Sequence, residues 1–118
     1  MITGIHALLF SPQAEEVRAF FRDVLGFRSV DAGGGWLIFA LPPAELAIHP
    51  VEGAPRHELY LMCEDIEATV RELALRGVEL ARPISEERFG LATAIRIPGG
   101  ELALYQPKHP TALVPENL

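Results

Sequence analysis

Cysteine is nearly absent: Cys63 is the only one in 118 residues. A lone cysteine closes no internal disulfide, so the chain is expected in a reducing, cytoplasmic setting. Lysine is as scarce, with Lys108 alone. Lys and Arg together number 10 against 16 Asp and Glu, a formal net charge of -6. No basic cluster offers a footprint for phosphate backbones, so no nucleic-acid partner is expected. Nowhere does an apolar run approach the roughly 18 residues that a membrane span needs, so no membrane partner is expected either. The first ten residues lack a basic stretch leading into a long apolar run, and they are not expected to act as a signal peptide. What the chain has instead is 49% apolar residues. That rules against disorder, and the length suits a single domain spanning residues 1–118.

The hydrophobic pattern alternates short strands with two helices. Residues 5–10 form an apolar run broken only by His6, which reads as a strand buried on both faces. Ser11-Pro12 marks a helix start, and Val17, Phe20, Phe21, Val24 and Leu25 fall on one helical stripe that Gly26 can close. Strands are expected over 27–31, 36–41 and 45–49, with Gly33-Gly34-Gly35 as a turn. That turn lacks the spaced glycines and following helix of a phosphate loop. The pattern then restarts. A strand is expected over 58–63. Asp65 caps a helix carrying Ile66, Val70, Leu73 and Ala74 on one stripe, and Gly77 ends it. Strands follow over 78–81, 91–97 and 101–106.

Each half therefore reads β-α-β-β-β, with module one at about 1–52 and module two at about 53–118. The repeat is clearest where each half ends. Leu41-Pro42-Pro43-Ala44-Glu45-Leu46-Ala47-Ile48-His49 matches Ile97-Pro98-Gly99-Gly100-Glu101-Leu102-Ala103-Leu104-Tyr105 at a constant offset of 56. The helix-ending glycines Gly26 and Gly77 differ by only 51, so the second half carries about five extra residues, placed around 83–88. Two units are too few for a solenoid. They suit paired halves enclosing something between them.

Strand side chains alternate faces. His6, Leu8 and Phe10 share one face, and Glu58, Tyr60 and Met62 share its counterpart. In the closing strands Glu45, Ala47 and His49 lie together, as do Glu101, Ala103 and Tyr105. These polar and aromatic sets suit a concave inner face, whereas the aliphatic residues between them, with Cys63, suit packing against helices. Tyr60, Met62, Tyr105 and His49 are the candidate ligand-binding residues of that face; the first three would equally serve as plain core if no cavity exists, and His49 as a strand-end histidine before Pro50. Trp36 is a further candidate for ligand stacking, with core or dimer packing as its alternative.

These stretches resemble the vicinal oxygen chelate superfamily, which includes glyoxalase I, bleomycin-resistance proteins and extradiol dioxygenases. The resemblance is carried by Gly4-Ile5-His6-Ala7-Leu8-Leu9, by Phe20-Phe21 followed by Leu25-Gly26-Phe27, by residues 58–66, and by Pro98-Gly99-Gly100-Glu101 through Tyr105-Gln106. It covers nearly the whole chain. It implies an α+β fold of two βαβββ modules with concave inner sheets, and a homodimer. It also implies a metal site made by inward residues of the first and last strands. His6 matches the first ligand position and Glu58 its equivalent in the second module. Ala103 stands where the family usually places a Glu, and Ala47 is equally empty. Glu101 and His49 each lie two residues away on the same face, roughly 6–7 Å along the strand.

Two functions are consistent with this pattern. One is a protein that binds or sequesters a small organic molecule. The alternative is a divalent-metal-dependent lyase, isomerase or dioxygenase acting on a substrate with vicinal oxygens, with Glu58 or Glu101 as the catalytic proton carrier. The empty ligand position at Ala103 favours binding. The expected cofactor is therefore none, or a weakly held Zn, Ni, Mn or Fe on His6, Glu58 and Glu101.

Overall fold

The computed structural model describes residues 6–45, 47–50, 52–54 and 56–110. The chain begins with α1 (Ala14–Ala19), which widens into a π-helical turn over Phe20–Val24. Within that turn the Leu25 amide donates to the Phe20 carbonyl at 3.1 Å, a five-residue span. Val17, Phe20 and Phe21 are buried, with Val24 and Leu25 packed beside them, as the sequence stripe requires. Gly26 and Gly77 follow the two helices with φ of 73° and 82°. In this left-handed region a Cβ is costly, so glycine ends both helices.

The first half then forms β1 (Ser29–Asp31) and β2 (Leu37–Phe39), an antiparallel pair with Val30 opposite Ile38. Between them the Asp31 carboxylate accepts from the amides of Gly33, at 2.7 Å, and Gly35, at 3.2 Å. The turn is thus closed on its own acid.

The second half is larger. It contains β3 (Tyr60–Met62), α2 (Ile66–Leu75), β4 (Leu80–Glu87), β5 (Gly90–Ile97) and β6 (Gly100–Pro107). The sheet order is β3-β6-β5-β4, with β3 parallel to β6 and the other pairs antiparallel. Asp65 caps α2, accepting from the Ala68 amide at 3.1 Å. The Gln106 side chain accepts from the Ile66 amide at 2.9 Å, filling a second orphan donor of the same helix end. The extra residues of this half enter β4, whose pairing with β5 shifts between Leu80 and Arg82 and again between Arg82 and Ser85. The Thr93 hydroxyl donates to the Arg82 carbonyl at 2.6 Å beside these shifts.

Two expected strands differ from the structure. Residues 6–10, with the described residues of 45–49, carry no strand, while Met1 to Ile5 and Leu46 lie outside the described residues. Leu8 is 70% exposed and Phe10 89%. Alternation had marked both segments as half-buried, but a strand forms only where a ladder partner meets it. For 45–49 the turn before it supplies the reason. In the second half Pro98-Gly99 joins β5 to β6, with Gly99 at φ 73° and Ile97 opposite Gly100. This is the demand of a type II turn on its third residue. The matching residue of the first half is Pro43, whose ring holds φ near −65°. The same hairpin cannot close there.

One hydrophobic core joins both halves. Val17, Phe20 and Phe21 cluster with Ile66, Leu73, Val78, Ile95, Ile97, Leu102 and Leu104. Burying a side chain the size of Ile95, fully enclosed here, stabilises by about 1.5–3 kcal/mol. The Arg76 guanidinium also donates to the Val24 carbonyl at 2.8 Å, tying the two helix ends together. Among the described residues no helix is long and apolar enough to cross a membrane.

Candidate functional site

The packing defines which face of the four-stranded sheet is free. Leu102 and Leu104 of β6 enter the core with Ile95 and Ile97 of β5, so Ala103 and Tyr105, with Ala92, Ala94 and Arg96, lie on the opposite, inner face. Tyr60 pairs in register with Ala103 and Met62 with Tyr105. Three of the expected binding residues, Tyr60, Met62 and Tyr105, are therefore brought together as the alternation indicated.

Tyr105 is the centre of this group. Its ring meets Tyr60 edge-on at 5.4 Å and 77°, and Phe89 at 5.9 Å and 71°. His109 lies 6.1 Å away at 34°. Two rings thus stand nearly upright on either side of a third, an arrangement that π quadrupoles favour. The Tyr105 hydroxyl donates to the Glu45 carboxylate at 3.4 Å and lies 3.4 Å from Nε2 of His109. Burial raises the Tyr105 pKa above its ordinary 10.0, and the negative charge of Glu45 adds to the shift. Tyr60 and Phe89 remain about two-fifths exposed, so the cluster presents apolar ring surface to an incoming molecule.

Sequence reasoning missed three members: Glu45 as a site residue, Phe89 and His109. The only signal for Phe89 was the length excess of the second half, which extends β4 and so carries the short turn holding Phe89 toward Tyr105. His109 follows the last strand, where no pattern in the sequence assigns a direction.

The other expected residues lie apart from this cluster. His6 and His49 are exposed in segments without regular structure, and Glu58 is exposed just before β3. Trp36 is 63% exposed and carries the Arg18 guanidinium 4.6 Å above its ring, beside a hollow of about 180 Å³. Glu101 lies on the inner face, but its carboxylate binds the Arg82 guanidinium at 2.7 Å. Among the described residues no three His, Cys, Asp or Glu side chains gather as a metal site. This donor set, among the described residues, does not assemble a cation site. A larger hollow of about 440 Å³, lined by Val30, Ile38 and Phe39 among others, lies on the first-half sheet. It is an open, mostly apolar face edged by Arg28 and Ser29, and the aromatic cluster, with Glu45 and His109 at its hydroxyl, is the better candidate. Cys63 packs beside the core, where burial raises its thiol pKa, so it is a poor nucleophile.

The fold agrees with what comparison shows. The family described as the Glyoxalase/Bleomycin resistance protein/Dioxygenase superfamily matches residues 5–103, and the chain belongs to it. Among solved structures it is similar to TnmS3, an antibiotic binding protein from Streptomyces sp. CB03234. That match has 24% identity and a TM-score of 0.60, covering 92% of this chain and 100% of the other. It is also similar to a lactoylglutathione lyase from Agrobacterium tumefaciens, at 17% identity and TM-score 0.59, covering 88% and 92%. A superfamily member from Sphaerobacter thermophilus is similar at 23% identity and TM-score 0.57, covering 89% and 98%. No curated protein sequence matches significantly. At these identities the likeness extends to the fold, which hosts both binding proteins and enzymes.

Proposed function

We propose that this protein binds a small organic molecule bearing an aromatic ring, on the inner face of the four-stranded sheet, without turning it over. The observation that carries the reading is the Tyr60–Tyr105–Phe89 cluster, partly exposed on that face and bordered by polar groups at Glu45 and His109. Small-molecule sites combine such apolar walls with a few directed polar groups. The antibiotic-binding description of TnmS3 is in keeping with this reading. A protein with one half-buried cysteine suits a reducing cytoplasm.

The test is a titration with the uncharged fluorophore N-phenylnaphthylamine in the presence of chelator. Saturable enhancement is expected, weakened about fivefold by Tyr105→Leu or Tyr60→Leu, the scale of a lost aromatic contact. Absence of saturable binding, or binding indifferent to both substitutions, overturns the reading. A divalent cation, where one is held, would rest on His6 and Glu58. Calorimetric titration with Zn, Ni and Mn is expected to show weak binding that His6→Ala removes. Tight binding, lost also in Glu101→Ala, would place the enzyme reading first.

The first half leaves Val30 67% exposed and Ile38 beside it, an apolar face on a two-stranded sheet. Sheets of two strands need further cover. We propose a second copy of the chain as that cover. Sedimentation equilibrium is expected to give twice the 12.9 kDa chain mass at micromolar concentration, and a single-chain mass throughout would reject the dimer.

A further inference from the structure

The polar border of the aromatic cluster is short of hydrogens. Three atoms meet there: Oη of Tyr105, a carboxylate oxygen of Glu45 and Nε2 of His109. Oη lies 3.4 Å from each of the other two. His109 is presented by the chain as it leaves β6. The Lys108 amide donates to the Phe89 carbonyl at 2.8 Å, and the Lys108 ammonium meets Glu86 at 3.1 Å. The imidazole then turns Nδ1 to the Pro110 carbonyl at 2.9 Å. A carbonyl oxygen only accepts, so Nδ1 carries the hydrogen of the neutral ring, and Nε2 is left as an acceptor. The Glu45 carboxylate only accepts as well. The Tyr105 hydroxyl therefore brings the one hydrogen that the three atoms share. It goes to Glu45, because a charged acceptor makes the stronger bond. Oη then faces Nε2 lone pair to lone pair. Their 3.4 Å separation is well beyond the length of about 2.9 Å usual for a nitrogen–oxygen hydrogen bond. Among the described residues no other donor reaches either atom.

We infer that the ligand of this face is an aromatic molecule with an N–H or O–H donor on its ring, which it places between Oη of Tyr105 and Nε2 of His109. This rests on the aromatic-binding reading above and adds the polar group by which the site selects. In the free protein, solvent supplies the missing hydrogen. A ring that covers the cluster displaces that water, and only a donor replaces what the water gave. An ether oxygen, which can only accept, sets a third lone pair against the two and is rejected. The rings of Tyr60 and Phe89 do not make this distinction, since a phenol and its ether present the same π face to them. The selection falls on Tyr105 and His109.

The test uses the full chain, with chelator present, and three fluorescent probes of one ring system: 2-naphthol, 2-methoxynaphthalene and 2-ethylnaphthalene. Binding is measured at about pH 7.5, where phenols keep their hydrogen. Naphthol is expected to bind about tenfold more tightly than the ether, the scale of one acceptor left unpaired. The ether is expected to gain nothing over ethylnaphthalene, which has its shape and no oxygen. His109→Phe keeps a ring after β6 and removes Nε2. At this exposed position the substitution is expected to weaken naphthol and bring it within about twofold of the ether. Equal binding of naphthol and ether to the wild type overturns the inference, as does a preference that survives His109→Phe. An ether that outbinds ethylnaphthalene and matches naphthol shows that the site donates, and overturns it too. If all three probes bind alike and all weaken in Tyr60→Leu, the aromatic-binding reading stands by itself. If none binds saturably, the inference and the reading beneath it both fall.

Discussion

The two halves share a sequence pattern and differ in how far it becomes structure. In the second half, β4, β5 and β6 are eight residues each and stand in a four-stranded sheet with β3. In the first, β1 and β2 are three residues each and, among the described residues, form a pair by themselves. The hydrophobic alternation is comparable in both. The turns are not: Gly99 permits the hairpin that makes β6 the centre of its sheet, and Pro43 forbids the same geometry in the first half. Alternation thus gives a segment the capacity to be a strand, and the turn determines which neighbour it meets.

The sharpest way to break the comparison is to separate its terms. Residues 1–52 and 53–118 expressed apart are expected to lose cooperative unfolding, because Val17, Phe20 and Phe21 complete a core that the second half supplies. Two sharp thermal transitions from the isolated pieces would show two independent domains instead. Next in size is Gly99→Pro, which installs the first half's turn in the second. It is expected to cost about 3 kcal/mol in urea unfolding. A loss below about 1 kcal/mol would mean the turn does not hold β5 to β6.

A smaller effect should appear in alkali. The raised pKa of Tyr105 means that its neutral form supports the fold. That contribution is complete below the ordinary tyrosine value of 10.0 and is lost as pH rises through the raised value. Wild type is therefore expected to lose more stability than Tyr105→Phe between about pH 9 and pH 11, the interval around an ordinary phenol. Parallel curves for the two proteins would contradict the assignment. Smallest of all, Pro43→Gly is expected to raise amide-exchange protection over 45–49 by allowing the missing hairpin. Unchanged protection would place the cause of the first half's short sheet elsewhere than in the turn.

Much of the second half was legible because its signals are local. Asp65 and Gly77 bound α2, and strands over 91–97 and 101–106 stand within a residue of those observed. The π-helical turn at Phe20–Val24 was not legible, since a stripe of Phe20, Phe21, Val24 and Leu25 fits an α-helix as well. The parallel pairing of β3 with β6 joins residues about 40 apart in the chain and leaves no local trace. In the site, alternation found Tyr60, Met62 and Tyr105, because a face is a property of one strand. It could not find the Glu101–Arg82 pair, which depends on the irregular register of β4.

The bond from the Ile66 amide to the side chain of Gln106 fixes more than a helix end. Gln106 follows Tyr105 directly, and the two point to opposite faces of β6. Were β6 to slide by one residue, the helix would lose this acceptor while Tyr105 turned from the inner face into the core. The two errors arrive together, on opposite sides of the sheet. The helix end therefore works as a parity check on the strand: it is satisfied only in the frame that points the central ring of the site outward.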